Sequence, residues 1–351
     1  MNPSQSSDNF QKKIESWFYL HERSLYYGGL VLSLLIACLH FNARISEAHD
    51  DALYLEGGWR FVTEFPNYFY TQNAPLYPLF LGLCIKIIGF KLILLKLSSV
   101  VFHVLAFGLL FKTLSRKAPV MVLIPVLLFQ LLNSLIAYYS SMTFTEAAFF
   151  ALQSFWLYAW TKTWNPLSCT WKNWFVLSTL KSSAIVVLPS MLVYYALRKQ
   201  IRPMAWSMGA YLFFKLVYEA SVRIIWNAPS QFAGQSKILL QKDPYDASLG
   251  QETVSGFIDR FQENANLSLS KRFYQLLHFK DENWNEELNE LGERLYTSSS
   301  WMVTLLTAAT LIFGLYWAWR KKEWLLFGWG LFGISQALLS YLILQTRWDQ
   351  P

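Results

Sequence analysis

Ser46-Glu47-Ala48-His49-Asp50-Asp51-Ala52-Leu53-Tyr54-Leu55-Glu56 directly follows the first long apolar segment of the chain, Leu25 to Phe41. Five of these eleven residues are Glu, His or Asp, side chains that titrate or ligate metals. The apolar segment delivers them to a membrane surface, where a charge pushed into hydrocarbon is costly. Carboxylates held at that boundary must be solvated, paired or catalytic. Further on, Ala74-Pro75-Leu76-Tyr77-Pro78-Leu79-Phe80 adds an aromatic-rich run. The two stretches together read as an extracytoplasmic site loop, and the rest of the chain as its scaffold.

The composition supports a membrane setting. Of 351 residues, 54% are hydrophobic, 18% aromatic and only 15% charged, against about 25% charged in soluble domains. The 16 Trp suit membrane interfaces, where an amphipathic ring is at home. The formal charge is +7, but the Lys and Arg stand in short clusters between apolar runs rather than on one basic face, so nucleic acid is not an expected partner. Cys38, Cys84 and Cys169 have no metal-ligand spacing, which excludes a cysteine zinc site or a disulfide framework.

Charge predicts the topology. Residues 1–24 read as a cytoplasmic leader and 25–41 as the first span. Apolar runs at 92–111, 119–138, 144–161, 203–222, 300–319 and 324–344 are each long enough to cross, at about twenty residues per crossing. The basic clusters Lys12/Lys13/Arg23, Lys112/Arg116/Lys117, Lys162/Lys172, Arg198/Lys199/Arg202 and Arg320/Lys321/Lys322 all belong in the cytoplasm by the positive-inside rule. An even number of crossings must then separate neighbouring clusters. Parity makes 76–90 an interfacial helix rather than a span, beside a second interfacial helix at 51–63. It also divides 173–197 into two short passes that turn near Lys181. The expectation is an all-α polytopic membrane protein with about nine transmembrane helices. Its parts are a leader (1–24), a transmembrane core (25–222) with a first outer loop (42–91), a large outer loop (223–299) and C-terminal spans (300–351). The large loop is broken by Pro229, Asp243-Pro244-Tyr245 and Gly250. It holds an acidic run of roughly helical spacing (Asp281, Glu282, Glu286, Glu287, Glu290, Glu293) and a glycosylation sequon, Asn266-Leu267-Ser268.

Adjacent Asp50 and Asp51 point about 100° apart on a helix, so they cannot serve one substrate atom equally. One can act as base or metal ligand while the other caps a helix beginning near Ala52; alternatively both simply cap and solubilise the loop. Glu146 is either functional or the end of a Thr-x-x-Glu capping box from Thr143. Lys181 interrupts an apolar stretch, either to meet an anionic phosphate or to snorkel to headgroups. His49, Tyr54, Glu56 and Tyr77 are candidates for lining a substrate loop. Neither a Walker loop, a dinucleotide turn nor a Ser-His-Asp pattern is present.

His49-Asp50-Asp51-Ala52-Leu53-Tyr54, then Pro75-Leu76-Tyr77-Pro78-Leu79, Thr145-Glu146-Ala147-Ala148-Phe149-Phe150 and Thr179-Leu180-Lys181-Ser182-Ser183-Ala184, occur in that order. Together they resemble the GT-C superfamily of membrane glycosyltransferases. The nearest branch is the one containing protein mannosyltransferases and the lipid A aminoarabinose transferase. The resemblance spans nearly all of residues 20–351; Ser182 departs from the family's proline. Arg347-Trp348-Asp349-Gln350-Pro351 resembles a segment that precedes further spans in longer relatives, which implies a short or C-terminally truncated member. The implied reaction moves a sugar from a polyprenyl-phosphate donor to a glycan, lipid or protein acceptor at the outer membrane face. Asp50 or Asp51 would be catalytic, Lys181 and Arg347 would bind the donor phosphate, and Asp50 with Glu146 would share a divalent metal, Mg or Mn. A bacterial cytoplasmic membrane is the expected location, with the endoplasmic reticulum as the alternative. Two rivals come from other classes: a lipid-linked sugar transporter or flippase, which would show internal repeats and charges inside paired spans, and a non-catalytic membrane partner protein.

The parity argument makes a direct prediction. Reporter fusions after Lys117, Arg202 and Lys322 should report cytoplasm, and fusions near Asn67 and Asp246 the outer side. A cytoplasmic signal at Asp246 would overturn the scheme, since the acidic loop and the large loop would no longer share a side.

Overall fold

The computed structural model describes residues 3–44, 49–71, 73–162, 175–227, 240–242, 247–272, 287–288, 294–295 and 301–343. Within them the chain is mainly helical, with connecting turns and short β pairings. The helices are α1 (Pro3–Leu39), α2 (His49–Thr63), α3 (Leu76–Ile88), α4 (Leu92–Lys117), α5 (Val120–Leu132), α6 (Ser134–Tyr139), α7 (Thr145–Lys162), α8 (Val187–Leu197), α9 (Ile201–Trp226), α10 (Val254–Leu267), α11 (Trp301–Arg320) and α12 (Trp324–Ile343). A short helix at 175–180 and a 3₁₀ turn at Ser182–Val186 precede α8. Four segments are long and apolar enough to cross a membrane: Lys12–Leu39, Leu92–Lys117, Trp301–Arg320 and Trp324–Leu342.

Several boundaries differ from the sequence expectation. The leader and the first span are one unbroken helix, because no proline or glycine interrupts the chain between Ser4 and Tyr27. The run 119–138 is two helices rather than one. Asn133 leaves helical geometry at φ −73°, ψ 114°, and its Oδ1 accepts a hydrogen bond from the Ile136 amide at 3.0 Å, capping α6. Each piece is then shorter than a crossing: α5 has 13 residues, about 20 Å at 1.5 Å per residue. The acidic run does not keep its helical spacing throughout, since Glu287–Leu288 pairs antiparallel with Arg294–Leu295. Its other members lie outside the described residues.

The chain forms two compact units. Met1–Tyr70 with Pro75–Leu180 makes the first, and Thr71–Ala74 with Lys181–Pro351 the second. In the first unit α4 packs against α7 and α1, while α2 packs on α3. Helix α3, at 13 residues, is too short to cross. Gly58 and Gly82 let α2 and α3 approach to backbone contact: a Cβ on Gly82 would stand 2.8 Å from the Gly58 carbonyl oxygen. Core aromatics fill the space around this pair, with Phe61, Tyr70, Tyr77 and Leu81 all buried.

In the second unit α10 is an amphipathic helix capped by Thr253, whose Oγ1 accepts from the Gly256 amide at 3.0 Å. A buried polar seam pins it to α11 and α12. Asn264 donates to the Tyr341 carbonyl at 3.0 Å, and Thr304 donates to Asn266 Oδ1 at 2.6 Å. Asn266 is only 7% exposed, so the sequon's acceptor amide is buried in a hydrogen bond rather than offered to a glycosylating enzyme. Arg198 joins α8 to α12 by lying 5.1 Å above the Trp324 ring while donating to Tyr194 Oη at 2.9 Å.

The Gly58–Gly82 contact has a measurable consequence. Gly82→Ala forces two backbones apart and should cost about 1–3 kcal/mol, as overpacking does. Gly209→Ala, whose new Cβ meets nothing within 4 Å, should be neutral or stabilising by up to ~1 kcal/mol through helix propensity. Thermal unfolding of the two purified variants in detergent compares them; equal midpoints would mean that α2 and α3 do not depend on this approach.

Candidate active site

Helix α2 begins at His49, three residues before the expected start, so Asp50 and Asp51 lie inside its first turn. Asp51 is therefore not the cap. Its carboxylate is fully buried, and Oδ1 accepts from the amide of Ala52 at 2.8 Å, using one of the free donors at a helix N-terminus. Asp50 is half-buried. Tyr54 follows one turn later, on the face shared by i+3 and i+4 neighbours of the two acids, and is 6% exposed.

Glu146 comes from the other side, in the first turn of α7. The expected capping box is not formed. Thr143 is fully buried and its Oγ1 has no hydrogen-bond partner among the described residues. The hydroxyl beside Glu146 is that of Thr145, which donates to Oε2 at 3.2 Å. The helix starts one residue too late for Thr143 to cap it, because Ser140, Ser141 and Met142 form a turn whose amides bond back to Ala137, Tyr138 and Tyr139. With the cap role gone, Glu146 is left facing the tyrosines.

The three carboxylates converge on those tyrosines. Burial pushes the Tyr54 hydroxyl well above the usual phenol range, and the Glu146 and Asp50 carboxylates push it the same way. Tyr139 is raised for the same reasons, first burial and then Glu146, with Asp50 contributing. Tyr77, fully buried, is raised by burial, by Glu146 and by Asp51, against a hydrogen bond with Ser99 that lowers it. The rings hold one another edge to face: Tyr54 and Tyr77 centroids are 5.6 Å apart at 90°, and Phe144 meets both Tyr54 (6.5 Å) and Tyr139 (5.5 Å). Phenols held protonated in this way donate hydrogen bonds and do not serve as bases.

The structure thus brings together Asp50, Asp51, Glu146, Tyr54 and Tyr77 of the sequence candidates. Glu56 is not with them. It is exposed and faces Arg60, 3.9 Å away, on the outer side of α2. The helical period explains this, since five residues from Asp51 is about 140° round the helix. Lys181 is half-buried at the helix interruption before the 3₁₀ turn, its carbonyl accepting from the Ala184 amide at 3.0 Å. The side chain of Leu180, the residue before it, belongs to the same core as Tyr54 and Tyr77. The His49 side chain and Arg347 lie outside the described residues.

Sequence reasoning missed Tyr139 and Thr145. Thr145 was legible only as the neighbour of Glu146, and Tyr139 as one of two adjacent tyrosines before the Ser140 turn. Among the described residues no three His, Cys, Asp or Glu side chains form a metal-holding group. Asp50 and Glu146 are hard oxygen donors of the kind that Mg or Mn takes, and both act on the same two phenols. Compared with known proteins, the chain matches no family model, no curated protein and no solved structure.

Proposed function

We propose that this chain is a GT-C-type glycosyltransferase that moves a sugar from a polyprenyl-phosphate donor to an acceptor hydroxyl at the extracytoplasmic membrane face. The observation that carries the reading is that Asp50 and Glu146, from helices far apart in sequence, both act on the hydroxyls of Tyr54, which is buried, and Tyr139, which is partly buried. Perturbed titratable groups gathered in this way mark functional sites more often than structural ones. In the proposed architecture about nine segments cross the bilayer with the N-terminus inside, α5 and α6 together making one broken crossing. Helices α2 and α3 lie in the interface, presenting Trp59, Leu83 and Ile87, all exposed, to lipid. A bacterial cytoplasmic membrane is the proposed location.

The chemistry assigns a role to each group. The acceptor O–H gives its proton to the Asp50 carboxylate while its oxygen bonds to the anomeric carbon of the sugar. The bond from that carbon to the donor phosphate breaks, and polyprenyl phosphate leaves with one more negative charge. Asp50 suits the base because it is half-buried and reachable, whereas Asp51 is fully enclosed. Tyr54 and Tyr139, held protonated, can donate hydrogen bonds to sugar or phosphate oxygens. Lys181, next in the chain to the core residue Leu180, and Arg347 are the proposed partners of the leaving phosphate. A divalent Mg or Mn ion on Asp50 and Glu146 would add positive charge there.

Substitutions separate these roles. Asp50→Asn keeps shape but cannot accept a proton, so transfer should fall about 10²-fold or more with the protein still folded. Asp51→Asn should be milder for the chemistry, with its cost in stability, about 1 kcal/mol from the lost first-turn interaction. Full activity in both variants would remove the catalytic role from this helix.

A lysine that only snorkels to headgroups needs charge and length, so Lys181→Gln would then lower expression and leave turnover alone. A lysine on the donor phosphate gives the opposite pattern. Lys181→Gln should be made at near-normal levels and lose most activity, with no recovery at high acceptor. Normal turnover in that variant returns Lys181 to anchoring, and loss of wild-type activity on adding a chelator would then assign the leaving group to the metal.

A further inference from the structure

Lys96 lies in the first turns of α4, a helix apolar enough to cross a membrane, and is 0% exposed. An ammonium is retained in such a place only where hydrogen bonds offset the loss of water. Its Nζ donates to the carbonyl oxygens of Asn42, at 2.9 Å, and Arg44, at 2.5 Å. Asn42 Oδ1 in turn accepts from the Arg44 amide at 2.8 Å, a local side-chain turn that fixes the segment supplying both carbonyls. This segment follows α1 and leads, six residues after Arg44, to Asp50.

Ser99 stands three residues after Lys96, on the same face of α4, and is also 0% exposed. Its Oγ donates to the Met142 carbonyl at 2.5 Å and lies 3.4 Å from Tyr77 Oη. Met142 precedes Glu146 by four residues. One face of one helix therefore ties down both segments that deliver the carboxylates, through a charged group on the Asp50 side and a hydroxyl on the Glu146 side.

We propose that Lys96 is a positioning residue for the transfer reaction, with Ser99 as its partner, and that together they set the placement of Asp50 relative to Glu146. The inference deepens the functional reading above and, in its kinetic part, rests on it. Lys96 acts through the backbone carbonyls of the segment that leads to Asp50. Charge-assisted bonds of this kind are roughly twice as strong as neutral ones, which suits a tie that must hold at the edge of a membrane.

The test combines hydrogen exchange with transfer kinetics on the full chain in nanodiscs. Lys96→Met keeps the apolar stem and removes both bonds. Amides at 42–44 and 49–55 should exchange at least about tenfold faster, while those of α11 and α12 stay unchanged. Transfer should fall by about 10²-fold in kcat, with the KM for donor within about twofold, as for a misplaced base. Added to Asp50→Asn, Lys96→Met should cause no further loss, because the two act as one unit. Ser99→Ala, which buries no new group, should loosen 140–146 and leave 42–44 protected.

Unchanged exchange at 42–44 and 49–55 in Lys96→Met overturns the tie. A loss that adds to that of Asp50→Asn, or that appears in donor KM, overturns the positioning role in favour of direct substrate binding. Should Lys96→Met fail to fold, Ser99→Ala decides: equal loosening of both segments, or of neither, overturns the division of labour on α4. Wild-type protein that transfers no sugar defeats the functional reading, and the exchange results still support or overturn the tie by themselves.

Discussion

Near hydrocarbon, a charge survives only where hydrogen bonds, water or an opposite charge offset the cost of removing it from bulk water. Much of the first unit follows from that constraint. Asp51 is enclosed against the amide end of α2, where the unpaired N–H groups and the helix dipole favour a carboxylate. Lys96 is enclosed against two carbonyl oxygens at the end of α1. Glu146 sits in the first turn of α7, a favourable terminus again, with a hydroxyl donor at its side. Each charge meets a helix end, a hydroxyl or a backbone carbonyl. The result is a cluster of polar groups set in an aromatic core.

The aromatic residues do more than fill volume. Tyr54, Tyr77 and Tyr139 meet one another or Phe144 edge to face, so the hydroxyl positions are set by ring packing. Burial and the neighbouring carboxylates keep those hydroxyls protonated. The packing of α2 on α3 through Gly58 and Gly82 determines where Tyr54 can meet Tyr77. A glycine contact that looks remote from chemistry therefore helps to set the spacing of the site.

Much of this was legible in the sequence, and for a physical reason. Charges close to apolar runs are costly, so Asp50, Asp51 and Glu146 stood out, and the shortness of 76–90 together with charge parity argued against a crossing there. What escaped reading depended on tertiary placement. The Thr143–Glu146 spacing matched a capping box, but the preceding turn delays the helix, and spacing alone cannot show that. Asn133 divides 119–138 because its side chain finds a backbone amide, an outcome that an apolar average hides. Lys96 was passed over as one polar residue in a span, although the cost of an intramembrane ammonium was itself the signal. Glu56 was included because it lies close in sequence, and the helical period turns it away from the site.

The central claim is that this chain breaks the bond between a sugar and a lipid phosphate, and one measurement addresses it directly. Purified wild-type protein in liposomes is given a polyprenyl-phosphate donor labelled in the sugar, with glycan, lipid and peptide acceptors supplied in turn. The proposed transferase moves label to an acceptor and releases free polyprenyl phosphate in equal amount. Intact donor appearing in the opposite leaflet with no free polyprenyl phosphate would contradict it and identify a transporter. Donor left unchanged with every acceptor class would also contradict it, and would favour a non-catalytic membrane partner.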